Sequence, residues 1–202
     1  MAPPIIFFER RIRLSIKIIT GPVTEPITLQ EAKDFLKFDG NSRDAEISMA
    51  ISAARVYCED RQNKRYITQT LELILDKFPC GKHLEFDSCS PVQSVTSVKY
   101  YDSNGTEYTM DPNNYIVDTD SFVNKITLKN SRLWPSTVLQ SVNGVRVRFV
   151  AGYGTAAQVP EAVKQAMVLH MRLFLDEYSP ADGENLKTRM NWLLGMRGRV
   201  NV

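Results

Sequence analysis

The chain has 202 residues, 43% hydrophobic and 24% charged, with a formal net charge of +2. That composition is ordinary for a soluble globular protein and sufficient for a sizeable core, with one domain and a sub-domain as the expected size class. No run approaches the ~20 apolar residues of a membrane span, and the first residues, apolar Pro3–Phe8 before Glu9-Arg10-Arg11-Ile12-Arg13, do not follow the basic-then-apolar order expected of a signal peptide.

Charge is unevenly placed. Residues 1–20 hold four basic groups and one acidic, residues 186–202 hold four basic groups and no acidic one, and the middle is net acidic. Basic ends of this kind are either solvated tails or contacts for an acidic surface.

Residues 1–20 read as an N-terminal arm. Ile12, Leu14, Ile16 and Ile18 alternate with Arg13, Ser15 and Lys17, a strand pattern that Gly21-Pro22 ends. A strand so near a terminus can pair with a neighbouring subunit as readily as with its own sheet.

Thr28-Leu29-Gln30-Glu31 fits a capping box, and Leu29, Ala32, Phe35 and Leu36 follow at helical spacing. Asp39-Gly40-Asn41-Ser42 is a turn, with Asn41 or Ser42 placed to cap a second helix and Asp44 and Glu46 in its first turn. Ile47, Ala50, Ile51, Ala54, Tyr57 and Cys58 give that helix its apolar face. The spacing predicts an αα-hairpin over 28–38 and 43–62.

Strand patterns then follow in series. Ile67, Gln69, Leu71, Leu73 and Leu75 alternate with polar residues, and His83–Phe86, Ser94–Asp102, Thr106–Met110, Tyr115–Asp118, Lys125–Lys129 and Gly144–Ala151 complete the set. Asp102-Ser103-Asn104-Gly105 is a hairpin turn, Asn-Gly supplying positive φ angles. Pro160 opens a further helix, expected over 160–178, with Val163, Ala166, Met167, His170, Met171, Phe174 and Leu175 on a broad apolar face. Ser179-Pro180-Ala181-Asp182-Gly183 is expected to break it before a last helix over 185–195 carrying Leu186, Met190, Leu193 and Leu194.

The predicted fold is therefore α+β: a helical bundle scaffold with an inserted antiparallel β-sheet or small barrel. Its parts are an arm (1–20), a helical scaffold (21–64 and 152–178), an inserted β domain (65–151), and a C-terminal helix and tail (179–202).

Candidate chemistry is sparse. Gly152-Tyr153-Gly154 precedes a helix but lacks the further glycine and the Lys-Ser/Thr of a phosphate loop, and Pro160 removes a donor. No Gly-x-Ser-x-Gly elbow occurs. Asp111, Asp118 and Asp120 lack calcium-loop spacing and read as turn residues. Cys58 reads as a core thiol, while Cys80 and Cys89 flank a possible hairpin and leave a disulfide open. His83 and His170 do not combine with these cysteines as metal ligands. Tyr100, Tyr101, Tyr108 and Tyr115 could stack bases, but the surrounding carboxylates disfavour phosphate. No catalytic residue, cofactor or metal is expected.

The order of several short motifs carries a resemblance. These are Glu25-Pro26-Ile27-Thr28-Leu29-Gln30-Glu31-Ala32-Lys33, Ala53-Ala54-Arg55-Val56-Tyr57-Cys58-Glu59, Tyr66-Ile67-Thr68-Gln69-Thr70, Pro91-Val92-Gln93-Ser94-Val95, Val147-Arg148-Phe149-Val150-Ala151-Gly152-Tyr153-Gly154 and Val159-Pro160-Glu161-Ala162-Val163-Lys164-Gln165-Ala166. Over about residues 22–178 the chain resembles the head–tail connector (adaptor) family of long-tailed bacteriophages and prophages. The resemblance implies a non-enzymatic virion protein made in the host cytoplasm. It would form a ring, usually dodecameric, below the portal protein and meet a stopper or tail-completion protein. Genomic DNA would pass through the lumen without sequence-specific binding and without any membrane. The basic C-terminus resembles segments that dock on the portal.

Residues expected at a portal contact are Arg189, Trp192, Leu193, Leu194, Met196, Arg197 and Arg199, because a short helix with Trp and adjacent Leu has more apolar surface than it can bury alone. Truncation after Tyr178 is then expected to leave a folded protein. Ile12, Leu14, Ile16, Tyr57, His170 and Phe174 are expected at contacts between copies. The competing readings are a nucleic-acid-binding module using the basic termini, and a small phage-encoded enzyme using His170 or His83.

Overall fold

A computed structural model describes residues 15–121, 123–176 and 179–195. The described chain is α+β, with four α-helices and two antiparallel sheets. The strands are β1 (Ser15–Thr20), β2 (Gln69–Leu75), β3 (His83–Phe86), β4 (Val92–Tyr101), β5 (Glu107–Thr109), β6 (Tyr115–Asp118), β7 (Asn124–Leu128) and β8 (Val145–Ala151). The helices are α1 (Leu29–Leu36), α2 (Asp44–Gln62), α3 (Glu161–Leu175) and α4 (Pro180–Gly195). One sheet has the order β1-β2-β8-β4-β5 and the other β3-β7-β6, so the barrel alternative is not what forms. No helix among the described residues is long and apolar enough to cross a membrane.

The chain separates into two compact units. A helical unit takes Ile19–Thr70, Asp87–Ser94 and the described residues from Val150 onward. A β unit takes Leu71–Phe86, Val95–Phe149 and the described residues up to Ile18. The edges differ from an insertion over 65–151, because Tyr66 and Ile67 are buried in the helical core.

In the helical unit, the capping box forms as the sequence predicts. Thr28 Oγ1 accepts from the Glu31 N–H at 3.2 Å, and the Thr28 N–H donates to Glu31 Oε2 at 2.7 Å. Those two bonds satisfy donors that a helix start otherwise leaves open. The helix stops at Lys37, whose φ of 57° is left-handed, before the Asp39–Ser42 turn is reached. Neither Asn41 nor Ser42 caps α2; Arg43 takes that position without a side-chain cap bond and pairs with Glu46 at 2.7 Å. Asn41 and Asp44 instead hold the nearly buried Lys33 Nζ, at 3.0 and 2.8 Å, which ties the connection back onto α1.

The core of this unit collects Ile47, Ala50, Ile51, Ala54 and Cys58 from α2, Val163, Ala166, Met167 and Met171 from α3, and Met190 and Leu194 from α4. The alanines of α2 let its neighbours approach closely. Burial pushes the Cys58 thiol up to about 12, so it is a neutral core side chain.

A carboxylate sits inside the same unit. Glu59, 3% exposed, accepts from the Tyr66 N–H at 2.8 Å, from Gln69 Nε2 at 3.1 Å and from Arg55 Nη1 at 3.1 Å. Burial pushes its carboxyl up, and these donors oppose the shift. Arg55 also binds Glu25 at 2.7 Å, so one ionic chain ties the segment before α1, α2 and the approach to β2 together. Where that approach passes the Gly152 loop, a Cβ on Gly152 would stand 2.4 Å from the Ile67 carbonyl oxygen, and its φ is 127°. Only glycine accommodates both conditions.

In the β unit, period-two alternation buries Leu71, Leu73 and Leu75 of β2 with Val145, Val147 and Phe149 of β8. Glu72 points the other way and is still buried, held by Arg148 at 2.9 Å and Arg146 at 3.5 Å. The Asn104-Gly105 hairpin forms with Gly105 at φ 82°, and the β4–β5 register pairs Tyr100 with Tyr108. Cys80 and Cys89 are free thiols, the first exposed and the second buried, so the disulfide alternative is not realised.

The break expected at Ser179–Gly183 is instead a helix start. Ser179 Oγ accepts from the Asp182 N–H at 3.2 Å, an N-cap geometry, and α4 runs from Pro180. The last helix is therefore 16 residues long, beginning earlier than the 185 read from its leucines.

Candidate functional site

The helices that build the core leave two hollows on the helical unit. On α3, Ala166, Met167 and Met171 face the core, and residues one step round the helix line a groove. Val168, Leu169, Gln165 and Arg172 form one wall, Phe35 of α1 closes an end, and Arg189, Trp192 and Leu193 of α4 form the other wall. The groove measures about 380 Å³. Its lining is mostly apolar, with two guanidinium groups. Arg172 donates to the carbonyl oxygen of Phe35 at 3.0 Å, covering an open acceptor at the end of α1. Arg189 meets no carboxylate among the described residues.

The second hollow, about 180 Å³, is lined by Tyr57, His170, Leu173, Phe174, Lys187 and Met190. The Tyr57 and His170 rings stack with centroids 4.3 Å apart. His170 Nδ1 is buried without a hydrogen-bond partner, and burial lowers the imidazole pKa, which favours the neutral ring at neutral pH. No carboxylate reaches it among the residues lining this hollow, so a general base is not assembled there.

These placements sort the predicted residues. Tyr57, His170 and Phe174 come together, with Phe174 64% exposed. Ile16 lies half-buried on β1, while Ile12 and Leu14 fall outside the described residues. Arg189, Trp192 and Leu193 come together in the larger groove, with Trp192 64% exposed. Leu194 is a correction: it is 3% exposed, because α4 uses it with Met190 to close the core. Met196, Arg197 and Arg199 lie outside the described residues.

The remaining polar candidates have structural occupations. Asp118 accepts from the Ser121 hydroxyl and from the Asp120 and Ser121 N–H groups, and these bonds hold its carboxyl down to about 2. Asp111 caps the turn at Asn113. Tyr100 stacks on Tyr108, Tyr101 donates to Glu107, and Tyr115 is buried. His83 meets Thr127 at 3.0 Å. Among the described residues no three His, Cys, Asp or Glu side chains are arranged to hold a metal ion.

Sequence reasoning missed Phe35, read as a core residue but 53% exposed at the groove. It also missed Met49 and Val56, exposed on α2 at 66% and 47%. Their seven-residue spacing, off the Ile47–Cys58 core face, was a visible signal of a second apolar stripe.

No family model matches the chain, and no curated protein matches its sequence. Solved structures do match its fold. A chain from the neck of an empty GTA particle, computed with C6 symmetry, superposes with a TM-score of 0.76 at 20% identity, covering 93% of this chain and 97% of that one. A chain from the virion of a native gene transfer agent (GTA) particle gives 0.65 at 21% identity, covering 87% and 94%. A chain from the neck of a native GTA particle, computed with C12 symmetry, gives 0.66 at 20% identity over the same shares. This chain has the fold of those particle chains.

Proposed function

We propose that this chain is a structural head–tail connector of the adaptor type, in the neck of a tailed bacteriophage or phage-like particle. The observation that carries the reading is the match to a neck chain over 93% of this chain and 97% of that one, at a TM-score of 0.76. The C6 and C12 symmetries of the matched necks support a ring of identical copies, a dodecamer in the virion. Such a ring closes through heterologous contacts, which need two different complementary surfaces on each copy.

The exposed Tyr57–His170–Phe174 face and the arm with Ile12, Leu14 and Ile16 are the proposed copy-to-copy surfaces. The groove beside Arg189, Trp192 and Leu193, with Met196, Arg197 and Arg199 after it, is the proposed portal contact. A stopper or tail-completion protein is the partner on the other side, and DNA passes through the lumen. The chain acts by holding partners together, without catalysis or cofactor, and its place is the virion neck after synthesis in the host cytoplasm.

Native mass measurement of the purified chain, alone and with the portal ring of the same particle, tests the reading. The expected result is one ring of this chain per portal ring. A chain that stays monomeric and unbound in the presence of the portal overturns it.

A further inference from the structure

The loop between β7 and β8 of the β unit covers residues 129–144 and holds no carboxylate, with Lys129 and Arg132 as its charges. A connection of that length without regular structure is unusual in a compact unit and commonly carries a function. This one is pinned. Trp134 Nε1 donates to the Gly81 carbonyl oxygen at 2.6 Å, and its ring stacks on Phe78 with centroids 4.9 Å apart. The Ser103 N–H donates to the Val138 carbonyl oxygen at 2.9 Å, and the Asn143 N–H donates to Asp76 Oδ1 at 2.9 Å. Yet Leu133, Val138 and Val142 are 82%, 74% and 61% exposed. A loop so fixed, with large apolar side chains turned to water, is a preformed contact surface.

The β3-β7-β6 sheet of the same unit has the opposite character. Its register sets Glu85, Lys125 and Asp118 in one row and His83, Thr127 and Ile116 in the next, all on the face opposite the buried Leu84 and Ile126. Ile116 is 55% exposed. Asp118 takes Lys125 at 3.4 Å, while Glu85 and Asp120 meet no cation among the described residues. Lys129 and Arg132 likewise meet no carboxylate among the described residues. The two surfaces lie at opposite ends of the sheet. The Lys129 N–H donates to the Asn114 carbonyl oxygen at 3.0 Å, so the loop departs from the Tyr115–Leu128 end, and Asp120 lies beyond the Asp118–Lys125 end. Between those ends β7 spans about 13 Å. Unlike surfaces displaced along one body suit head-to-tail contacts, which can pass from copy to copy round a ring.

We propose that loop 129–144 of one copy packs on the outward face of the β3-β7-β6 sheet of the next copy, with Leu133 against Ile116 and with Lys129 and Arg132 facing Glu85 and Asp120. The inference rests on the connector reading and names the partner of this loop as a second copy of the chain. The apolar side chains supply affinity. The opposed charges set the direction in which copies follow one another, because loop against loop, or sheet face against sheet face, brings like charges together.

The test is a charge exchange in the full chain. One variant carries Lys129→Glu and Arg132→Glu, the other Glu85→Lys and Asp120→Lys; all four side chains are exposed, and circular dichroism checks that both variants fold. Ring formation, alone and on the portal ring of the same particle, is read by native mass measurement. Each variant by itself is expected to form rings at a yield several-fold below that of the unaltered chain, because every contact then sets like charges together. Mixed in equal amounts, the two are expected to recover the unaltered yield in rings that hold both variants in equal number, since only alternation places opposite charges at each contact. Rings formed as well by either variant alone, or no recovery in the mixture, overturn the proposal and leave the connector reading standing. Rings that form normally but no longer join the portal make the loop a portal surface and also overturn it. If the unaltered chain forms no ring in either setting, the connector reading fails and the proposal with it.

Discussion

Two residues on α4, less than one turn apart, separate folding from docking. Met190 is 1% exposed and closes the core of the helical unit, while Trp192 is 64% exposed on the groove. Replacing Met190 with Ala removes buried apolar atoms and leaves a cavity, a loss of about 2–5 kcal/mol. Trp192 has only about a third of its surface covered. That corresponds to about 50–80 Å² of a ring that can bury ~150–250 Å², or ~1–2 kcal/mol at ~25 cal/mol per Å² as an upper bound. Alanine is the better helix former by ~0.5 kcal/mol, which offsets part of this and leaves about 1 kcal/mol. Urea unfolding followed by circular dichroism reads both effects, and sedimentation with the portal ring reads docking. Met190→Ala is expected to lose stability but, below its unfolding transition, to keep docking. Trp192→Ala is expected to stay folded and lose docking. If Trp192→Ala proved as destabilising as Met190→Ala, or docked as well as the unaltered chain, the assignment of these two faces of α4 would be refuted.

Two other sites give separate predictions. Glu59→Ala leaves Arg55 facing a buried void and strips partners from the Tyr66 N–H and Gln69, so a loss of about 3–5 kcal/mol is expected by urea unfolding; a loss below ~1 kcal/mol would show that water replaces the carboxylate without penalty. His170 has its pKa lowered by burial, so its contribution to stability is intact above the unfolded value of 6.5 and is lost as pH falls through the folded value. The groups facing it in its hollow are the Tyr57 hydroxyl and the Lys187 ammonium, the latter paired with Glu184, and neither favours the imidazolium. Acidifying from about pH 7.5 to about pH 5 should therefore cost the unaltered chain more stability than His170→Gln. An imidazole titration midpoint at or above 6.5 by NMR would contradict this.

What was legible in the sequence follows from which signals are local. Strand alternation is written residue by residue, so His83–Phe86 and Tyr115–Asp118 emerge at the predicted positions and the other strands shift by a residue or a few. The Thr28–Glu31 box is likewise local, since both partners lie within one helical turn. Ser179–Gly183 misled because the residues that break one helix also start another, and Ser179 was not recognised as a cap. Glu59 could not be found at all. A carboxylate followed by Asp60 and Arg61 reads as a solvated helix face, and only the return of Tyr66 and Gln69 against α2 makes it buried. Leu193 and Leu194 look alike in sequence, but helical rotation sends one towards the groove and the other into the core.

The place of α4 changes what docking means for this chain. Read from the sequence, the last helix was an appendage that a truncation after Tyr178 could remove while leaving a folded protein. Its Met190 and Leu194 instead belong to the same core as Ile47, Ala54 and Met171. Losing two such buried side chains removes about 3–6 kcal/mol, a large share of the ~5–15 kcal/mol that holds a typical domain together. Truncation is therefore expected to unfold the helical unit, and loss of portal binding after such a deletion would say nothing about contact. The same coupling runs in reverse. A segment seated against Trp192 and Leu193 binds only the folded arrangement of α1, α3 and α4, so any occupant stabilises that arrangement, by about 2.7 kcal/mol at a hundredfold excess over its Kd. A connector built this way is stiffened by the partner it joins, because the groove and the core share one helix.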